Sequence, residues 1–342
     1  MPPALPEHTL LLFLLQLALL LTAARGLGEL ARRYGQPPVI GELAAGILLG
    51  PSCLGMLAPA LQGALFPRDA LQFQLLEVIA WLGMVVLLLM TGLETDLAVL
   101  RNLGRAALYA SILGMVVPFA SGLALGWALP DRLLVDPGDR LLFTLFLATA
   151  LSISALPVIA RILIDLDLMR RNVGIVILGA GVAEDATGWL LLSVIAALAA
   201  RDEVNLATVG IAIGSTAAFV AVAYTAGSAL VLSFMRWMDD RVGVRHAMTT
   251  GVMVVTLVFG ALTQLIGIHA VFGAFVAGLV MARSPRLRRP TVEQIEGLLL
   301  AVLAPVFFAY AGLKVDLAHG FEIGPVLAVL AVACASKLVG AS

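Results

Sequence analysis

Two acids stand side by side at Glu184 and Asp185 in the string GAGVAEDATGWLLL, with mostly apolar or small residues on either side. Adjacent carboxylates in a dry setting cannot both ionise cheaply unless a cation joins them. One charge near the middle of an apolar span already costs about 2.5–3.5 kcal/mol on insertion scales. A neighbouring pair is therefore expected to serve proton or cation chemistry rather than packing. Lys337 is the one lysine inside an apolar run. Its four-carbon stem can cross to an acid or snorkel to the membrane surface, and the sequence leaves both readings open. Glu42 and Glu77 fall near the ends of their apolar runs and read as interfacial or helix-terminal charges. His269 reads as an interfacial histidine at a helix start.

The stretch ATALSISALPVIARIL at 148–163 is the second place where chemistry is concentrated. Pro157 removes a backbone donor and crowds the preceding turn, while Thr149, Ser152 and Ser154 supply hydroxyls for freed carbonyls or for a cation. The spacing predicts a discontinuous helix whose half-helix end and open carbonyls form an ion site. A regular helix kinked at Pro157 is the plainer alternative.

These residues must be held by membrane spans. Of 342 residues 61% are hydrophobic and 13% charged, and the mean hydropathy is +1.05, which excludes a soluble enzyme. The 21 Lys and Arg nearly cancel the 22 Asp and Glu, and no basic block with interleaved aromatics suggests nucleic acid. Cys53 and Cys334 are too few and too far apart for a disulfide framework or a zinc site, and read as small packing residues. Apolar segments of about 20 residues define spans in a hydrocarbon core about 30 Å thick. Eleven are read, at 9–24, 39–50, 71–92, 104–128, 141–163, 173–199, 207–234, 248–266, 268–282, 294–312 and 324–342. The second and ninth are short, which suits burial inside a bundle. The residues before the first span carry no Lys or Arg, unlike a cleaved leader. Fifteen of the 21 positive residues fall in the loops at 25–38, 93–105, 161–172, 235–247 and 283–293, so those loops are expected to be cytoplasmic and the N-terminus outside.

The chain also repeats itself. VIGELAAGILLG and AVFGAFVAGLVMA each hold glycines five apart, Gly41/Gly46 and Gly273/Gly278, and LLLMTGLETDL matches FFAYAGLKVDL through Gly92, Asp96, Gly312 and Asp316. The partners lie seven spans apart. An odd offset turns the second unit over in the membrane, the inverted-repeat plan of many secondary transporters, with the substrate site near the midplane. On this register 1–200 is a first six-helix repeat, 205–236 a linker helix and 247–342 an incomplete second repeat of one transporter domain. The chain stops at SKLVGAS inside an apolar run, so a truncated chain is expected, with about 11 of 13 spans present.

GELAAGILLGPSCLG at 41–55, TGLETDL at 91–97, TALSISALPVIARIL at 149–163, AEDATGWLLL at 183–192 and PVFFAYAGLKVDL at 305–317 together resemble the monovalent cation:proton antiporters of the second cation:proton antiporter family, which includes Kef-type potassium and Nap-type sodium exchangers. The resemblance implies an all-α polytopic antiporter fold with discontinuous helices, a core domain moving against a dimerisation domain, and a homodimer in the cell membrane. It implies exchange of Na+ or K+ for protons by alternating access, with no enzyme activity and no cofactor. Asp185 matches the family's ion-binding aspartate, which would hold the transported cation. The preceding position is usually Asp or Asn, so Glu184 departs from the pattern. The family lysine falls on Lys337, and Thr149 and Ser152 match the broken-helix region. Two rivals are a sodium-coupled organic-anion symporter of related fold and an intramembrane aspartyl protease. Neighbouring residues on one helix point about 100° apart, however, and cannot flank a scissile bond as a dyad does.

Overall fold

Helix boundaries in this chain follow local backbone chemistry. Pro38 stands in a first helical turn, where its missing N–H costs nothing. Arg32 and Arg33 close the preceding helix, complementing the negative end of its dipole. Gly35 turns the chain between the two helices with φ 72°, a conformation that side chains resist.

The computed structural model describes residues 6–67, 69–94, 104–134, 137–154, 171–199, 214–215, 217–242, 246–267, 269–317 and 321–341, with the single residues 159, 163 and 168. Among the described residues there is no strand. The helices are α1 (Glu7–Arg33), α2 (Pro38–Leu49), α3 (Ala70–Glu94), α4 (Gly104–Ala128), α5 (Arg140–Ser152), α6 (Asn172–Ala199), α7 (Ala217–Arg241), α8 (Ala247–Leu265), α9 (Ala270–Met281), α10 (Arg289–Leu313) and α11 (Ile323–Ala341). Among the described residues eight helical segments, one of them α2 with the turn that follows it (Pro38–Leu57), are long and apolar enough to cross a bilayer, and α5 and α9 are apolar but shorter. The chain is a multi-pass helical membrane protein.

Two compact units form, Met1–Met90 with Arg288–Phe321 and Thr91–Leu287 with Glu322–Ser342. In the first, Leu20, Ala24, Ala45, Leu76, Ala80 and Tyr310 build an apolar core from α1, α2, α3 and α10. Polar groups within it are satisfied in place, as a dry interior requires. The Gln72 amide donates to Gln16 Oε1 at 3.0 Å, and the Gln16 amide donates to the Leu65 carbonyl at 2.7 Å. Glu77 pairs with Lys314 at 3.0 Å, in keeping with a helix-end charge, whereas Glu42 is buried within α2. α10 widens into a π turn at Leu299–Leu303 just before Pro305. Proline has no N–H for an upstream carbonyl, and the Arg25 guanidinium donates to the Leu300 carbonyl instead.

The paired glycines of the sequence turn out to be backbone contact points. In the first unit Gly41 presses on the Leu27 carbonyl of α1, and a Cβ on Gly312 would lie 3.1 Å from the Gly46 Cα. In the second unit Gly273 presses on the Phe259 carbonyl of α8, and a Cβ on Gly92 would lie 3.0 Å from the Gly278 Cα. The two sets of contacts correspond residue for residue. Only glycine permits such approach, and small-residue crossings of this kind hold helices together in lipid, where burial alone gives no drive. The short α9 is buried throughout 271–278. α2 is not, since Ile40, Leu43 and Leu48 are exposed, because α1 and α10 press only on its glycine side. Cys334 is exposed on α11 rather than packed.

Replacing Gly273 or Gly312 by Val forces a side chain into neighbouring backbone, and overpacking costs about 1–3 kcal/mol or more where backbone must shift. Both variants should unfold at clearly lower temperature than Gly63→Ala, whose position has open space. Thermal unfolding of the purified protein in detergent checks this, and equal stability of all three would contradict the packing role.

Candidate functional site

α5 stops at Ser152 because the chain turns extended at Ile153, with φ −73° and ψ 135°. The Ile153 N–H still reaches the Thr149 carbonyl at 3.1 Å, but the last carbonyls of the helix have lost their downstream donors. They also lie at the negative end of the α5 dipole. Pro157 lies outside the described residues.

The lost donor is replaced by a charge. Lys337, in the last third of α11, donates from Nζ to the Ser152 carbonyl at 2.7 Å and to Ser154 Oγ at 2.6 Å. The Gly114 carbonyl of α4 stands 3.2 Å from the same nitrogen, and Glu184 Oε2 of α6 stands 3.3 Å from it. Glu184 is buried and Lys337 partly so. Four oxygens, from α4, α6 and the end of α5, thus surround one ammonium. Lys337 does not snorkel; it crosses to the acid.

Glycines set these distances. A Cβ on Gly340, one turn beyond Lys337, would lie 2.7 Å from the Leu113 carbonyl, so α11 and α4 cross with backbones nearly touching. Gly126 meets Thr144 where α4 packs on α5, with 2.9 Å from its would-be Cβ to the Thr144 Cα. Gly188, one turn beyond Glu184, leaves room for the Ile153 side chain, which a Cβ would approach to 2.7 Å. Gly340 lets Lys337, one turn away, reach the centre, and Gly188 lets the end of α5 approach α6.

Beside the ion pair lies a cavity of about 550 Å³, walled by Ala110, Val173, Ile177 and Ala180, with Ser154, Glu184 and Lys337 as its polar lining. The eleven residue steps from Val173 to Glu184 rise about 16 Å along α6, so the cavity follows the helix from near its start to the acid. An apolar wall with a few convergent polar groups is the usual form of a binding site.

The sequence reading had named Glu184, Lys337, Ser152 and Ser154, and the structure brings all four together. Ser152 takes part through its carbonyl, because its hydroxyl donates to the Thr149 carbonyl at 2.9 Å. The Thr149 hydroxyl is fully buried and has no hydrogen-bond partner among the described residues, an orphan that a cation or water would satisfy. Asp185 follows Glu184 in α6; its side chain lies outside the described residues. Glu42 and Glu77 belong to the other unit. Gly114, Gly188 and Gly340 were not singled out from sequence, although small residues spaced along apolar spans, Ala110 and Gly114 among them, were the available signal.

At one end of this unit Arg132, between α4 and α5, grips Glu322 ahead of α11 with contacts of 2.7 and 2.9 Å. The guanidinium holds the Glu322 carboxyl below the usual carboxylate range. That pairing is present above the ordinary carboxylate pKa and is lost only as pH falls through the lowered value. Being exposed, it adds little stability.

A polytopic helical protein with a broken helix, an acid–lysine pair and an adjoining cavity has the architecture of an ion-handling secondary transporter. The chain belongs to the sodium/hydrogen exchanger transmembrane family, which it matches over residues 17–341. It is 31% identical to the Na(+)/H(+) antiporter NhaS4 of Synechocystis over 97% of this chain and 80% of that protein. It is 32% identical to cation/H(+) antiporter 18 of Arabidopsis thaliana, over 98% of this chain and 41% of that protein, so it spans about two-fifths of the plant relative. The sodium proton antiporter MjNhaP1 of Methanocaldococcus jannaschii shares the fold, with a TM-score of 0.62 and 14% identity over 97% of this chain and 78% of that one. These likenesses support neither the symporter nor the protease reading, and a buried acid facing a lysine is not a protease dyad.

Removing one partner of the Glu184 and Lys337 pair strands a buried polar group, at about 1–3 kcal/mol. Glu184→Gln and Lys337→Gln should each lower thermal stability, and the double variant should lose less than the sum. A strictly additive double-mutant cycle would mean that the two groups do not interact.

Proposed function

We propose that this protein exchanges a monovalent cation, Na+ or K+, for protons across a cell membrane by alternating access. The observation that carries the reading is the Lys337 ammonium, held by the open end of α5 and by Glu184 beside a cavity. That arrangement places a tethered positive charge where backbone oxygens and a carboxylate converge, the place read as the cation site. In the proposed cycle Asp185, next to Glu184, alternates between a proton and the transported cation. Carbonyls freed at the α5 break and the orphan Thr149 hydroxyl replace water around the dehydrated ion, as backbone carbonyls do in ion filters. Protonation or cation binding each neutralises the acid, and the neutral site can cross the hydrocarbon barrier that a bare carboxylate cannot.

Sidedness follows from charge. The Arg-rich loops mark the cytoplasmic face and put the N-terminus outside. The cavity follows α6 toward its start, next to the Arg-rich stretch 161–172, and is read as the cytoplasmic access. The matching glycine contacts of α2 and α9 support a duplicated, inverted plan with 1–200 and 247–342 as its halves. A homodimer is part of the same reading. If Lys337 surrenders a proton as the cation arrives, more charge moves in one direction than the other, and the membrane potential drives transport by about 2.3 kcal/mol per elementary charge per 100 mV.

Asp185→Asn removes the charge assigned to cycle between proton and cation, and should abolish exchange while insertion and folding persist. Proton flux in everted vesicles with Na+ or K+ measures it. Retained transport with an unchanged pH profile would place the site elsewhere.

A further inference from the structure

We propose that Gly114 is a positioning residue that fits this site to a glutamate: the space left by its missing side chain is where the Glu184 carboxylate rests against Lys337. The inference builds on the ion-pair reading of Glu184 given above. A Cβ placed on Gly114 would stand 2.8 Å from Glu184 Oε1 and 3.9 Å from its Cδ. Among the described residues it would meet no other heavy atom within 4 Å outside its own helix and chain neighbours. The Gly114 carbonyl also stands 3.2 Å from Lys337 Nζ. One residue therefore touches both members of the pair, the acid through its bare Cα and the ammonium through its oxygen.

The obstacle to a side chain here is unlike that at the other site glycines. At Gly340 a Cβ would run into the Leu113 carbonyl at 2.7 Å, so a helix would have to move. At Gly114 it would run only into the far end of a flexible side chain, so the helices stay and the carboxylate gives way. An added methyl is thus a selective displacement of Glu184 from its resting place, with the fold left intact. An aspartate at 184 would end about 1.5 Å further back, one bond length short, and would clear the methyl. Side-chain length at 184 and the absence of a side chain at 114 are matched to each other.

The test compares wild type, Gly114→Ala, Glu184→Asp, the double variant and Glu184→Gln, using the complete gene product in proteoliposomes and reading the apparent KM for Na+ and for K+ together with thermal unfolding in detergent. Gly114→Ala should lose no more thermal stability than Glu184→Gln yet raise KM about fivefold or more, the size expected of local overpacking, with maximal rate changed less. In the Glu184→Asp background the same alanine should change nothing further. A wild-type KM for Gly114→Ala, or equal damage by the alanine in both backgrounds, overturns the inference. If Glu184→Gln is impaired while Gly114→Ala is not, the pair stands and only the role of Gly114 falls. If Glu184→Gln transports as wild type does, the pair reading fails and the inference with it.

Discussion

An ammonium inside an apolar span has to find oxygen, and here it finds it where a helix stops early. The carbonyl of Ser152 is open because the backbone turns extended at Ile153, and the side chain that reaches it comes from a helix far away in sequence. The Lys337 contact thus meets two costs at once, a carbonyl without a helical donor and a partly buried charge. Glu184 adds the opposing charge, at 3.3 Å against 2.7 Å for the carbonyl. A pair held partly by backbone can let go of its carboxylate without leaving the ammonium bare, which is what the proposed exchange requires of it.

Close approach is the second constraint, and it is set by what is missing from side chains. α11 reaches Glu184 only because Gly340 lets it lie on the backbone of α4, and the break of α5 reaches α6 only because Gly188 yields to Ile153. The same device joins α2 to α10 through Gly46 and Gly312, and α9 to the end of α3 through Gly278 and Gly92. In lipid, apolar area gives helices no reason to associate, so backbone proximity has to supply the packing. The glycine strings that match in the sequence are therefore backbone contact points in both units.

Much of this was legible in the sequence because membrane constraints are severe. Hydropathy located the helices, with α4 read at the same bounds, 104–128, as in the structure. The cost of intramembrane charge singled out Glu184 and Lys337 before any coordinate. What hydropathy could not give is which oxygen of a residue is used: Ser152 was read for its hydroxyl and contributes its carbonyl. Nor could it give the burial of Glu42, which depends on how α2 packs rather than on distance from a helix end. Gly114 escaped notice for a similar reason. A glycine in an apolar run has no pattern of its own, and its meaning comes from the carboxylate that a different helix places beside it.

In the proposed exchange an arriving cation opens the pair of Glu184 and Lys337, and a proton leaves as it does so. Addition of Na+ or K+ to purified protein in weakly buffered detergent near neutral pH, followed with a pH electrode, measures that exchange without any transport step. The account predicts prompt, saturable proton release from wild-type protein, reduced in Lys337→Gln and absent in Asp185→Asn. Saturable cation binding with no proton released would contradict it.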